Sequence, residues 1–298
     1  MAQLRDLKRR MKSVSNTTKI TRTMELIATA KAKVCQDRIQ KAQPYFFALA
    51  EIAGEARKGE SDDEERHALL EEREVKNVGI LVVVANRGLC GGYNSNALRM
   101  ARDHREKLIA EGKTVSLVPS GKKSLAWLRF QNVPFEGPGY TQFEDKPPFA
   151  EVEKVADEMI GKFLRKELDR VDVIYTHYFS SGRQSPVTET LLPIQAADEG
   201  EKTAKEGDGA ESSINFIIEP DPKSILDTLF PLQVKLHLYR VYLEAAASEQ
   251  IARRMAMKNA TDNAQEVHRM LKMAYNRARQ SQITKEILEV LGGAEAVA

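Results

Sequence analysis

The apolar positions of this chain change period twice. From Leu4 the spacing is three and four: Leu4, Leu7, Met11 and Val14, then after a break Ile20, Met24 and Ile27, then Ile39, Ala42, Phe46, Leu49 and Ala53. A stripe this narrow and nearly heptad is a coiled-coil seam, and it predicts one long helix over residues 1–58. Pro44 is its interior proline, expected to bend the helix or remove one hydrogen bond. Gly54 and Gly59 weaken its end, and the acidic run Gly59–Arg66 after it reads as a solvated loop.

From Lys76 the pattern is different. VGILVVVA (Val78–Ala85) is an unbroken apolar, β-branched run, the mark of a strand buried on both faces. The loop NRGLCGGYN and a helical stretch, Ser95–Ala110, follow it. Thr114–Val118 reads as a strand, Ser120–Phe130 and Glu151–Leu168 as helices, and Val171–Tyr178 and Val187–Ile194 as strands with SSGRQSP as their turn. Ala196–Ser213 is polar and acidic, a loop, and Ile214–Ile218 is expected to close the sheet. Alternating strands and helices imply an α/β domain of the doubly wound kind over residues 75–219.

EPDP opens the last element, with Asp221 or Ser224 as cap, and a helix is predicted over 221–292. Pro231 is expected to separate a short first piece from the long one. The seam runs Leu229, Leu232, Leu236, Tyr239, Leu243 and Ala246, and resumes at Ala260, Ala264, Val267, Leu271, Ala274 and Ala278; Gly292–Gly293 are expected to end the helix. At about 1.5 Å per residue each terminal helix is roughly 80–100 Å long. That exceeds the width of a compact domain, so each needs a partner of matching length. The other end of the same chain supplies it. The expected fold is a long antiparallel coiled coil of the N- and C-terminal helices plus a central Rossmann-like α/β domain. A rod carries load or spans distance, which points to mechanics before chemistry.

Charge sharpens this reading. Residues 1–58 carry 13 basic and 5 acidic side chains, residues 59–74 carry 8 acidic ones against Arg66 and Arg73, and residues 249–285 carry 8 basic against 3 acidic. Both long helices are basic, suited to nucleic acid, an acidic membrane surface or an acidic protein. Charged residues at 30% and aromatics at 6% fit solvated helices better than a pocketed enzyme. No apolar run reaches the roughly 18 residues of a membrane span. MAQLRDLKRR has no apolar signal core, and Cys35 and Cys90 stand in no metal or dithiol spacing, so a reducing cytosolic compartment is expected.

Chemistry is thinly represented. NRGLCGGYN sits where phosphate loops sit, but Gly88, Gly91 and Gly92 do not match GxGxxG, and Val118, Pro119 and Ser120 stand where a ribose-binding acid belongs. A tight turn with backbone against backbone accounts for the glycines. Cys90 reads as a small packing residue. The histidines show no ligand spacing, and no Ser-His-Asp order stands out. No metal and no cofactor are expected. On the residues alone a small α/β enzyme with helical arms, or a basic coiled-coil adaptor for nucleic acid, stays open; the latter lacks aromatic platforms and a recognition motif. The run ARQSQITKEILEVLGG is distinctive. Arg279, Gln280, Thr284 and Glu286 fall within two turns, beside Ile283, Ile287, Leu288, Val290 and Leu291. An apolar tip of this kind is either buried in a protein socket or an aggregation hazard.

Three stretches, SNTTKITRTMELIATAK, NRGLCGGYN and ITKEILEVLGGAEA, with SEQIARRMAMKNATDN before the last, resemble the γ subunits of bacterial F-type ATP synthases over nearly the whole chain. The resemblance implies a non-catalytic rotor shaft that couples c-ring rotation to conformational change at the catalytic β subunits. It implies as partners the α3β3 ring, the ε subunit and the membrane c-ring, with no nucleic acid and no direct membrane insertion, on the cytoplasmic face of the bacterial plasma membrane. It places shaft contacts at Met24, Glu249, Arg253, Arg279, Gln280, Thr284 and Glu286, with Met24 near an acidic β segment and Arg279, Gln280 and Thr284 in a polar catch. It makes Ile287, Leu288, Val290 and Leu291 an apolar bearing. The chain departs from the family in Asn86, where aspartate is usual, and in the acidic insertion Gly59–Arg66. A loop without cysteine, Ala196–Ser213, stands where chloroplast members carry a redox pair, so thiol regulation is not expected.

Overall fold

A computed structural model describes residues 2–58, 67–194 and 222–295. The expected loops Gly59–Arg66 and Ala196–Ser213 and the expected strand Ile214–Ile218 lie outside the described residues. Two helices of 57 and 74 residues, α1 (Ala2–Lys58) and α5 (Pro222–Glu295), flank β1 (Asn77–Val83), α2 (Tyr93–Ala110), β2 (Thr114–Ser120), α3 (Lys122–Phe130), α4 (Phe149–Leu164), β3 (Arg170–Ser180) and β4 (Arg183–Leu192). The chain divides into two compact units, Met1–Ala30 with Arg253–Ala298, and Lys31–Ala252.

In the larger unit the strands lie in the order β2-β1-β3-β4, with β1 parallel to both neighbours and β4 antiparallel to β3. Successive side chains point to opposite faces. Leu81, Val83, Val171, Val173 and Tyr175 pack against α4 (Val152, Val155, Met159, Phe163) and α5 (Phe230, Val234, Leu238). Val78, Ile80, Val82 and Ile174 pack against α2 (Ala97, Leu98, Ala101) and Leu128 of α3. Both faces are covered, which is why the first strand reads as one apolar run. Pro119 lies in β2 and Pro186 in β4, the outer strands of the described sheet, where a missing N–H is tolerated.

Three boundaries differ from expectation. SSGRQSP is mostly strand, because β3 and β4 extend until Ser181 and Gly182 alone form the turn. Pro231 does not divide the last helix, which runs unbroken to Glu295, past Gly292–Gly293. A proline inside a helix costs about 3 kcal/mol, and burial of Leu226, Phe230 and Val234 on the sheet around it offsets that. α1 likewise continues through Pro44.

The seams are also corrected. In the smaller unit the shielded positions of α1 include Leu4, Leu7, Met11, Val14, Thr18, Thr21, Glu25 and Ala28, an unbroken heptad alternation with no gap after Val14, flanked by half-buried Asp6, Ser15 and Met24. Ile20 and Ile27, expected in the stripe, are 60% and 52% exposed, while Met24 is half-buried. On α5 the seam runs Met257, Thr261, Ala264, His268, Leu271, Tyr275, Ala278 and Gln282, with the expected Ala260 half-buried beside it, so His268 and Tyr275 take the places expected for Val267 and Ala274. Thr261 Oγ1 bonds Thr21 Oγ1 at 2.8 Å in this unit, and Cys35 packs on Ala246 and Ala247 in the other.

Candidate functional site

The crevice at the carboxyl ends of the parallel strands, the usual ligand site of such sheets, is filled by the chain itself. Gly121 opens α3 at φ 100°, and a Cβ on it would stand 2.1 Å from the Val84 carbonyl oxygen. Only glycine permits that approach. The Asn86 side chain closes the rest: Oδ1 accepts the Lys122 N–H at 2.9 Å, while Nδ2 donates to the carbonyls of Thr141 (2.9 Å) and Phe143 (2.8 Å). A phosphate at the α3 N-terminus would have to displace this amide. Asn86 needs both a donor and an acceptor, which a carboxylate cannot supply. The NRGLCGGYN loop also turns inward. Cys90 is buried and takes the Asn94 amide on its sulfur at 3.1 Å, and the Tyr93 hydroxyl donates to Ala245 O of α5 at 3.0 Å.

A second polar cluster joins β3, β4 and α5. The Tyr175 hydroxyl lies 2.7 Å from Glu189 Oε1 and 3.1 Å from Glu244 Oε2, and His177 Nδ1 lies 2.6 Å from Glu244 Oε2. His237 Nε2 is 2.9 Å and Arg240 Nη2 3.2 Å from Glu189 Oε2. The hydrogen bond to Glu244 pushes the His177 imidazole above its ordinary value. Burial opposes ionisation of Glu189, yet His237, Tyr175 and Arg240 together hold its carboxyl down to about 2. These groups satisfy one another, which is the behaviour of a structural network. Among the described residues no group of His, Cys, Asp and Glu has the arrangement of a metal site.

The residues anticipated as shaft contacts fall on the two long helices. Met24 is half-buried on α1; on α5, Glu249 is half-buried and Arg253 is buried. Arg279, Gln280, Thr284 and Glu286 are exposed, with the Thr284 hydroxyl returned to Gln280 O at 3.0 Å and the Glu286 carboxylate taking the Gln282 amide at 3.0 Å. At 100° per residue Gln280 and Thr284 share one face, and Arg279 and Glu286 another. Ile287, Leu288, Val290 and Leu291 are 54–72% exposed. An apolar end this exposed is a candidate contact surface.

A family model described as ATP synthase matches residues 3–297. The curated ATP synthase gamma chains of Leptospira biflexa and Rhodopirellula baltica are 40% and 41% identical to this chain, over 297 and 299 aligned residues that span all of it and at least 99% of each relative. The chain belongs to the ATP synthase gamma chain family. Its fold is also shared by solved chains at much greater distance. A chain of the Euglena gracilis mitochondrial ATP synthase, described as OSCP/F1/c-ring in rotational state 3, superposes with a TM-score of 0.67 at 17% identity, over 99% of this chain and 95% of that one. A chain of the rotor of the same enzyme gives 0.64 over 95% and 99%. No helix among the described residues of this chain is long and apolar enough to cross a membrane.

The sequence pattern missed what Asn86 and Tyr93 bind, and the Glu189–Glu244 network. Each works through contacts far apart in the chain. The available signal was the run of Asn, Tyr and Gly beside an apolar strand, which marks a turn with local bonds and leaves their partners open.

Proposed function

We propose that this chain is the rotor shaft of a proton-translocating F-type ATP synthase. It carries no catalysis of its own, and transmits c-ring rotation to the catalytic β subunits of an α3β3 ring. The observation that carries this reading is full-length kinship to gamma chains in a molecule whose strand-end crevice is packed by its own Gly121 and Asn86. An asymmetric rod presents a different face to each of three identical neighbours. Each β then feels a different bias between open and closed states, and turning the rod moves that bias around the ring.

In this reading Arg279, Gln280 and Thr284 form the polar catch on β, Met24, Glu249, Arg253 and Glu286 make further shaft contacts, and Ile287, Leu288, Val290 and Leu291 turn in an apolar sleeve. Apolar contact is non-directional, so it holds the tip without fixing its angle. The sheet domain meets the ε subunit and the c-ring, and the complex sits on the cytoplasmic face of the plasma membrane. Coexpression with α and β tests the whole: the three are expected to co-purify, and ATP is expected to drive rotation of a probe on this chain. A complex that hydrolyses ATP at the same rate with and without the chain contradicts the reading.

A further inference from the structure

The segment between α3 and α4 is irregular, yet its last residues are tied on every side. On the sheet side, Tyr140 lies beside the end of β2 in a parallel bridge to Ser120, with its N–H on Pro119 O at 2.9 Å and its carbonyl accepting the Gly121 N–H at 2.7 Å. The Asn86 amide holds the carbonyls of Thr141 and Phe143. On the helix side, the Phe143 ring lies 4.2 Å from that of Tyr242 on α5. Two residues on, one side chain reaches both long helices. The Asp145 carboxylate pairs with Lys31 of α1 and accepts the Gln250 amide of α5. Its own carbonyl accepts the Cys35 thiol at 3.4 Å. Burial, with Asp145 close by, pushes that thiol up to about 11, so Cys35 keeps the proton it donates.

The rest of the larger unit holds the sheet to α5 by apolar packing, which has no preferred direction of sliding, and by directional bonds of the Glu189–Glu244 network and of Tyr93 to Ala245 O, so α5 is already held against shear. The helix α1 is different: among the described residues it meets the sheet domain through few directional bonds, the kind that resist shear. Gln36 binds the β3–β4 hairpin at Tyr178 Oη and Ser181 Oγ, and Asp145 supplies the others described above. We propose that Tyr140–Asp145 is a strap that carries torque between the sheet domain and the two helices, and that Asp145 is its positioning residue. The inference rests on the rotor reading above and adds the path by which the load crosses.

The test uses the assembled complex with the c-ring absent. A probe bead is attached at Phe130→Cys, a position 81% exposed on α3, while Cys35 and Cys90 are buried and stay unlabelled. With the ring stalled by a non-hydrolysable nucleotide, the angular spread of the bead reports torsional stiffness. Asp145→Ala is expected to broaden that spread, and Asp145→Asn, which keeps the Gln250 partner but loses the ion pair with Lys31, to broaden it less. Lys31→Met carries the same test if Asp145→Ala does not assemble. A spread equal to that of the parent in variants that still rotate overturns the strap. A parent complex that shows no ATP-driven rotation overturns the rotor reading itself.

Discussion

Single side chains decide whether the crevice of this sheet is open or closed. Asn86 does so by offering an acceptor to the Lys122 N–H and two donors to carbonyls, a combination only an amide supplies. Asn86→Asp keeps the shape but sets a carboxylate against the oxygens of Thr141 and Phe143. It is expected to lower unfolding free energy by about 1–3 kcal/mol, the cost of an unmade bond on a shielded polar group, read as a shift in denaturant midpoint. Cys90 and Tyr93 belong to the same inward-facing turn. Their residue types look chemical in the sequence, and what they do is determined by the helix on which they rest.

At the scale of elements, the two helices are joined by a seam that is more polar than the stripe beside it. Thr21 and Thr261 bond each other there, and a buried polar pair in a coiled coil fixes register at some cost in stability. Thr261→Val is expected to cost about 1 kcal/mol, and adding Thr21→Val to cost nothing further, because the two hydroxyls act as one unit. Thermal unfolding of the three variants against the parent measures this. The β3–β4 hairpin is held to α5 by a titratable network, so its stability depends on pH at both ends. Glu189 is depressed from 4.5 to about 2, so its contribution is present above 4.5 and lost as pH falls toward 2. His177 is raised above 6.5, so its contribution is full below 6.5 and lost as pH rises through the raised value. Stability from this network should therefore plateau between 4.5 and 6.5. Urea midpoints across pH should show Glu189→Gln flattening the acid limb and His177→Gln the alkaline one.

At the scale of the whole chain, function lies in surfaces presented to other subunits, and the exposed end of α5 is the test of that. Arg279→Ala with Gln280→Ala is expected to leave assembly with α and β intact and to lower the ATPase rate of the complex roughly tenfold, the effect of losing about 1.4 kcal/mol of contact that differs between β states. Unchanged turnover in an assembled complex contradicts the catch. Charged substitutions at Leu288 and Leu291 should instead weaken assembly itself, since an apolar sleeve rejects a charge whatever the angle of the rotor. Co-purification yield separates the two effects.

The sequence by itself determined the long helices and most of the described strands, because period three-to-four and unbroken β-branched runs are local signals, while the full length of the β3–β4 hairpin was settled only by pairing. It also carried the family, through motifs spread over the full chain. The line along which the helices meet was a tertiary decision. Ile20, Ile27 and Val267 are the better apolar residues, but an antiparallel pair must keep one heptad phase along its length, and that phase runs through Thr18, Thr21, His268 and Tyr275. Pro231 stays helical for a similar reason, since contacts with the sheet outweigh a local preference to break. Asp145 lies at the far limit of legibility. Nothing near it in the chain marks it, and its role exists only because folding brings Lys31 and Gln250, more than 100 residues away on either side, to one carboxylate.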